Sequence, residues 1–390
     1  MERRIIWMLF AVAILGAASP AYATVRTVGT CVSPVVYPTI SSAISVSAAN
    51  DRINVCPGTY PEQVVINKPL FLAGMEAFTA TGVLDRAVIT LPSTFTTTVK
   101  SQYNNQMFAP QILVQNVNTA GHFGVVITNL TVDGSADPAG QPYYCQGIGV
   151  TPGLVGIFYD ATSSVSVQGN IGDVTTRNQL TQNIACGYGI WVENDGPVNQ
   201  SVIIQHNSIH DFDLGGITAV TGPGGAPPAL TATIRSNDVH SGSACPACLP
   251  YGIDTEDTET PGTIESNIIT GGGYGIMNGS SPISIINNTV AGAGTGIYLF
   301  FDGASTLASN YLADVGTAFD LYDSSNPGPT IKSNTTKNTQ TVIEYNCSPN
   351  VTVTSNTFSD AAFGFFGIPG TAPTTSNSLF NIDTITSSCI

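Results

Sequence analysis

Asp254 and Glu256 stand two residues apart in "YGIDTEDTET". On an extended strand, residues with this spacing leave the same face roughly 7 Å apart. That separation suits the acid–base pair of an inverting glycosidase, in which one carboxyl protonates the leaving oxygen and the other activates water. The same oxygens suit a calcium ion, and "DTEDTE" also reads as a solvated acidic loop. Glu193, in "GIWVEN", offers a third carboxylate. Trp191, Tyr298, Phe300 and Tyr322 are candidate substrate-binding residues, because the axial C–H faces of sugar rings pack on aromatic surfaces. Arg235 is the single Arg of the second half and joins them as a candidate cation.

His210 and His240 each follow an Asn, Asn207 and Asn237, by three residues. Such a pair can hold zinc or copper, or exchange protons near neutral pH; without a third ligand it reads equally as surface histidine. Cys245-Pro-Ala-Cys248 has redox spacing but lacks the helix N-terminus that lowers a thiol pKa, which favours a structural staple.

These residues act together only if a repeat stacks them. A phrase of Asn, β-formers and Gly recurs, and its Asn falls at Asn207, Asn237, Asn267, Asn288, Asn310, Asn334 and Asn356. Successive separations are 30, 30, 21, 22, 24 and 22 residues. Between them lies Gly with an apolar residue: Gly189-Ile190, Gly216-Ile217, Gly252-Ile253, Gly275-Ile276, Gly296-Ile297, and Ala318-Phe319 in degenerate form. Units of this length are too short for a propeller blade of about 40 residues and fit one coil of a β-solenoid. Coils about 4.8 Å apart stack equivalent residues. The Asn side chains then form a ladder that satisfies a buried bend, and the glycines are expected to supply positive φ at the corners. Aligning the Gly-Ile marks puts Trp191, Thr218, Asp254, Met277, Tyr298 and Asp320 in one column. Glu193, Val220, Glu256, Gly279, Phe300 and Tyr322 fall in a second. If the Ile points inward, both columns lie on the outer face.

Composition agrees with an exported, β-rich chain. Arg3 and Arg4, the apolar run to Ala18 and the small-x-small "AYA" at Ala21 to Ala23 predict a signal peptide over 1–23. A single solenoid domain over 24–390 follows, with the cap and first coils in 24–91 and the body in 92–390. No later stretch reaches the roughly 18 apolar residues of a membrane span. The net charge of −15, with only 9% charged residues, argues against nucleic acid and anionic membranes. It also disfavours acidic polymers, unless calcium bridges them. The expected partner is a polysaccharide or cell-surface glycan, and the expected state a monomer. Eight cysteines in an exported chain predict disulfides. Order in the chain suggests Cys31 with Cys56, Cys145 with Cys186, and Cys347 with Cys389, although sequence alone does not fix the connectivity.

"YPTISSAISVSAANDRINVCPGTYPEQVVINKPLFLAG" (Tyr37 to Gly74) reads as a short amphipathic helix, a strand, a Pro-Gly turn and a strand. Ile40, Ala43 and Ile44 share one helical face that can cover the first edge of the solenoid. With "VVITNLTVDG" (Val125 to Gly134) and the Asn phrases, this stretch resembles right-handed parallel β-helix proteins of the pectin-lyase-like superfamily, from about Thr24 to the C-terminus. The resemblance implies an all-β, right-handed parallel β-helix of roughly ten coils with an N-terminal capping helix. It does not imply one activity, since the superfamily includes lyases, hydrolases, esterases and members with no known catalysis. "PGTYPEQV" (Pro57 to Val64) resembles the opening of pectin methylesterases, but their later Gln, Asp and Arg phrases are missing. "HDFDLGG" (His210 to Gly216) has only fragments of the polygalacturonase pattern, and no Arg or Lys stands in a pectate-lyase motif. A periplasmic copper-maturation β-helix family has a similar opening and repeats, which adds copper to the options for His210 and His240. Two functions remain: binding, with or without cleavage, of a polysaccharide along the outer face, and a non-catalytic structural or adhesive surface role.

Overall fold

Backbone conformation before each ladder Asn sets the architecture. The residues there, His206, Ser236, Ser266, Asn287, Ser309, Ser333 and Ser355, all have φ between 53° and 59°. This left-handed geometry bends the chain between two strands, and short polar side chains tolerate it better than β-branched ones. The computed structural model describes residues 23–34, 36–78, 82, 84–117, 123–135, 153–161, 168–177, 187–221, 229–242, 249–256, 262–280, 282–300, 304–322, 328–345, 351–366 and 376–387.

Each full coil contributes one strand to each of three parallel sheets. The first sheet has twelve strands among the described residues, from Val25–Val28 to Thr352–Thr354, more than the roughly ten coils expected. The second sheet holds the three-residue strands that follow the bend, such as Ser208–His210, Asp238–His240 and Ile268–Thr270. The third sheet holds Gly153–Asp160, Gly187–Asn194, Gly215–Thr221, Tyr251–Glu256, Tyr274–Gly279, Thr295–Phe300 and Thr317–Tyr322. In the last coils the second and third strands merge into single strands, Thr335–Tyr345, Thr357–Phe366 and Ser378–Ser387.

Period-2 patterning fills the interior. In Gln200–Gln205, Val202 and Ile204 are buried while Ser201 and Ile203 alternate with them outside. In the third sheet Ile190, Ile217, Ile253, Ile276, Ile297, Phe319 and Ile343 form one fully buried stack. Each such side chain contributes about 1.5–3 kcal/mol by leaving water.

The corner glycines do a different job from the one the sequence suggested. None of Gly189, Gly216, Gly252, Gly275 and Gly296 has a positive φ. They are small because the coils approach too closely for a side chain: a Cβ on Gly252 would lie 2.7 Å from the Gly275 carbonyl oxygen of the next coil. It would also overlap Ile269 of the second sheet, so these glycines point inward.

The Asn ladder is continuous. Asn207 donates its backbone N–H (3.0 Å) and Nδ2 (2.9 Å) to Asn237 Oδ1, and the same pair of bonds repeats at each step to Asn356. Each Nδ2 also donates to a carbonyl of the first sheet, as Asn237 does to Ile204 at 3.0 Å. The ladder runs one step beyond the seven expected residues, to Asn377. At its other end Val174 occupies the equivalent place, and its N–H meets Asn207 Oδ1 at 3.0 Å.

At the N-terminal end the helix Ile40–Ser45 buries Ile40, Ala43 and Ile44. Thr39 caps it, and Glu62 accepts from the N–H groups of Ile40 (2.8 Å) and Ser41 (2.9 Å). Cys31 and Cys56 form a disulfide. The other two proposed pairs and Cys245–Cys248 involve residues outside the described ones, as does the signal segment up to residue 22. No helix among the described residues is long and apolar enough to cross a membrane.

Candidate functional site

The outer face of the third sheet gathers the candidate carboxylates and aromatics. Strand pairing puts Trp191, Thr218, Asp254, Met277, Tyr298, Asp320 and Glu344 in one column. A second column runs Glu193, Val220, Glu256, Gly279, Phe300 and Tyr322. The face divides into two chemically different halves.

The half nearer the N-terminus is closed. Residues 99–108 fold back over the sheet, with Val99–Lys100 pairing antiparallel to Met107–Phe108. Beneath this strap Trp191 is 2% exposed, with its ring 4.9 Å from Phe108 and 5.3 Å from Tyr188 between centroids. Trp191 is therefore a core residue and cannot stack on a sugar at the surface. Glu193 is 1% exposed. It accepts from Ser101 Oγ (2.7 Å), Trp191 Nε1 (2.9 Å) and the Gln102 N–H (3.2 Å). Burial pushes its carboxyl above the usual range, against those three bonds. Glu193 thus anchors the strap and does not face a ligand, contrary to the expected catalytic role.

Asp254 lies where the strap ends. It is 4% exposed, and Oδ1 meets no hydrogen-bond partner. Burial alone pushes its carboxyl up to about 8, so it carries a proton at neutral pH. Tyr188 and Tyr251 stand beside it, with their hydroxyls in hydrogen-bonding contact. Burial pushes both phenols upward; the Asp254 carboxylate adds to this at Tyr188, and Tyr188 and then Asp254 add to it at Tyr251. The Tyr251 hydroxyl is 3.3 Å from Thr218 Oγ1. Glu256 is half-buried two residues along the same strand.

Beyond Asp254 the face carries an aromatic floor. Tyr274 and Tyr298 rings are 5.3 Å apart at 35°, and Tyr298 and Phe300 are 5.6 Å apart at 21°. All three are half-buried, and Tyr322 is 43% exposed. Burial raises Tyr298, helped by Asp320, Tyr274, Tyr322 and Glu256 around it. Asp320 is itself pushed up to about 6, by burial and then by Glu344 on the next coil.

Sequence reasoning missed Tyr274 and Tyr251 because the corner glycine breaks alternation. Gly275 and Ile276 both turn inward, so Tyr274, which strict alternation puts inside, leaves on the outer face. Asp320 was visible in the column, but its half-burial and the stacked Glu344 needed coordinates. The strap gave no repeat signal.

The remaining candidates lie elsewhere. Arg235 projects from the first sheet, where its Nε (2.9 Å) and Nη2 (2.7 Å) donate to Gln205 Oε1, so it does not join the aromatic face. His210 and His240 do stack in register on the second sheet. His210 Nδ1 is 3.0 Å from Asp211 Oδ2, and Arg177 Nε donates to the same oxygen at 3.0 Å. Partial burial would raise the Asp211 carboxyl, but those two partners hold it below its usual value. No group of three or more His, Cys, Asp or Glu that could hold a metal occurs among the described residues. Among the described residues the proposed metal pair therefore lacks a third ligand, and the Asp254–Glu256 pair gathers no third carboxylate for calcium.

Residues 228–380 match the family described as "Right handed beta helix region". No curated protein matches the chain. Among solved structures, the chain is similar to the GH136 lacto-N-biosidase from Eubacterium ramulus. The selenomethionine form superposes with a TM-score of 0.58 at 9% identity, covering 92% of this chain and 68% of that one. The native form gives 0.50 at 9% identity, covering 94% and 68%. The A-module of mannuronan C-5 epimerase AlgE6 from Azotobacter vinelandii gives 0.47 at 16% identity, covering 89% and 94%. With three parallel sheets, a capped first coil and an internal Asn ladder, the chain has the fold of a right-handed parallel β-helix.

Proposed function

We propose that this is an exported protein that binds a polysaccharide along the outer face of its third sheet and cleaves it there. The observation that carries the reading is the stacked floor of Tyr274, Tyr298 and Phe300 beside a buried, protonated Asp254. Aromatic rings lined along one face offer apolar surface to a chain of sugars. A carboxyl that keeps its proton at neutral pH is suited to protonate a leaving glycosidic oxygen once a bound glycan reaches it. Glu256, on the same face roughly 7 Å away by strand geometry, is placed to activate water, which makes the outcome inversion. The same fold carries a lacto-N-biosidase in Eubacterium ramulus, so cleavage of a glycan is a use this architecture supports.

The test is a polysaccharide panel, read by retention and by release of reducing ends. Asp254→Asn and Glu256→Gln are each expected to abolish release while leaving retention in place. Release that persists at the wild-type rate in both variants would reject the catalytic assignment. Retention that survives Tyr298→Ala would reject the floor. A non-catalytic rod is the second reading, favoured by the unbroken ladder from Asn207 to Asn377, which stiffens the solenoid; retention without any release supports it.

A further inference from the structure

Carboxylates flank the aromatic floor, and among the described residues the floor strands themselves carry no Lys or Arg. Glu256 and Asp320 both act electrostatically on Tyr298, and Glu344 acts on Asp320. The third-sheet strands 153–160, 187–194, 215–221, 251–256, 274–279, 295–300, 317–322 and 341–345 contain no Lys or Arg. Other side chains of that type lie on other sheets or in the strap: Arg235 on Gln205, Arg177 on Asp211, Lys332 and Lys337 on the first and second sheets, and Lys100 in the strap.

Position explains how the carboxylates reach the rings. Gly279 stands between Glu256 and Phe300 in their column. The Phe300 ring lies across the place where a Gly279 side chain would be, which brings it toward the Glu256 coil. Asp320 follows Tyr298 directly in the other column, one coil on. Rings stacked at 5.3 and 5.6 Å therefore have carboxylates on two sides. Asp254, 4% exposed with Oδ1 unpartnered, is a buried polar group on the same sheet face.

Aromatic faces flanked by carboxylates recognise organic cations: the ring quadrupole attracts the ammonium and the carboxylates neutralise it. A uronate chain would bring its own negative charges against these groups and be repelled. Resting on the reading above, the geometry points to an amine-bearing glycan, a polymer containing unacetylated glucosamine-type sugars, as the ligand of this face. One ammonium sits over Tyr298 between Glu256 and Asp320, while the sugar ring itself covers the neighbouring rings.

The experiment compares four probes on the wild-type protein by calorimetry: a glucosamine oligomer, its fully N-acetylated counterpart of equal length, a neutral β-glucan oligomer and an oligogalacturonate. The glucosamine oligomer should bind at least about tenfold more tightly than the acetylated one, and only its binding should weaken steeply with salt. Glu256→Gln and Asp320→Asn, isosteric changes on the outer face, should each shrink that preference to about threefold or less without altering the far-ultraviolet spectrum. Equal affinity for the charged and acetylated oligomers, or a preference for the neutral or uronate probe, overturns the amine inference and leaves glycan binding standing. Retention of none of the four overturns both.

Discussion

The Phe300 ring occupies the space that Gly279 leaves vacant on the outer face. A Cβ on Gly279 would overlap three atoms of the ring, so the absent side chain on one coil fixes the orientation of an aromatic side chain on the next. The consequence reaches Tyr298, whose ring stacks on Phe300 at 5.6 Å. Gly279→Ala should push Phe300 off the face and tilt the floor. Because the added methyl points outward and not into the core, the melting temperature should change by little. Glycan affinity should fall about fivefold, the value of one lost stacking contact. Calorimetric titration against the best-binding glycan, with a parallel thermal melt, checks both halves; unchanged affinity would mean that ring orientation does not matter.

Asp254 should make the protein less stable as pH rises. Its folded-state value of about 8 lies above the ordinary 3.8, so the folded chain holds the proton more tightly than the unfolded chain. Its contribution is fully present below about pH 4 and is lost as pH climbs towards 8, with no further change above. One unit of such a shift is about 1.4 kcal/mol, so even half of it costs the wild type about 3 kcal/mol at pH 8. Asp254→Asn, neutral at every pH, should flatten that slope and melt higher than the wild type at pH 8. Denaturant titrations at a series of pH values measure it, and parallel slopes for the two proteins would show that Asp254 is charged in the folded state.

The strap should open when its anchor is removed. Glu193 accepts three hydrogen bonds, two of them from the strap. Glu193→Ala leaves Ser101, Gln102 and Trp191 with buried donors unmet, a cost of roughly 2–4 kcal/mol. Trp7 and Trp191 are the two tryptophans of the sequence, and Trp7 falls in the expected signal peptide, so the fluorescence of a chain expressed from Thr24 reports on the strap alone. Acrylamide should quench Trp191 weakly in the wild type and strongly in Glu193→Ala, while Glu193→Gln, which keeps an acceptor, stays near the wild type. Equal quenching in all three would mean that the apolar contacts to Phe108 and Tyr188 hold the strap unaided.

Column register was legible in the sequence because stacking forces each coil to repeat the same few constraints. Asp254, Tyr298 and Asp320 could be aligned from their Gly-Ile marks, since an inward Ile and a corner too tight for a side chain recur in every coil. The exposure of a column was not legible. Trp191 and Tyr298 occupy the same column, yet the first is covered by residues 99–108, a segment outside the repeat and about 90 residues upstream in "VKSQYNNQM". Nothing periodic links those segments, so alignment alone assigned both to solvent. The left-handed bend was likewise credited to glycine, although the Ser, His or Asn before each ladder residue from Asn207 to Asn356 adopts it.

The ladder should respond to a break in its middle more than to one at its end. Asn267 Oδ1 accepts from the N–H and Nδ2 of Asn237, and its own Nδ2 donates to Ile234 O and Asn288 Oδ1. Asn267→Ala therefore strands the Asn237 N–H and the Ile234 carbonyl in the interior. At about 1–3 kcal/mol for each unmet group, the loss is roughly 2–5 kcal/mol. Asn377 also accepts two bonds from its neighbour and donates to Val353 O at 3.1 Å. Those bonds are only part-buried, so water can replace the lost partner and Asn377→Ala should cost well under half as much. Val174, apolar at the equivalent position, shows that a bend survives without an amide of its own where the next coil supplies an acceptor. Urea unfolding of the two variants compares the costs directly. Equal losses would mean that the ladder contributes through side-chain volume, whereas the expected inequality assigns its stability to amides that water cannot reach.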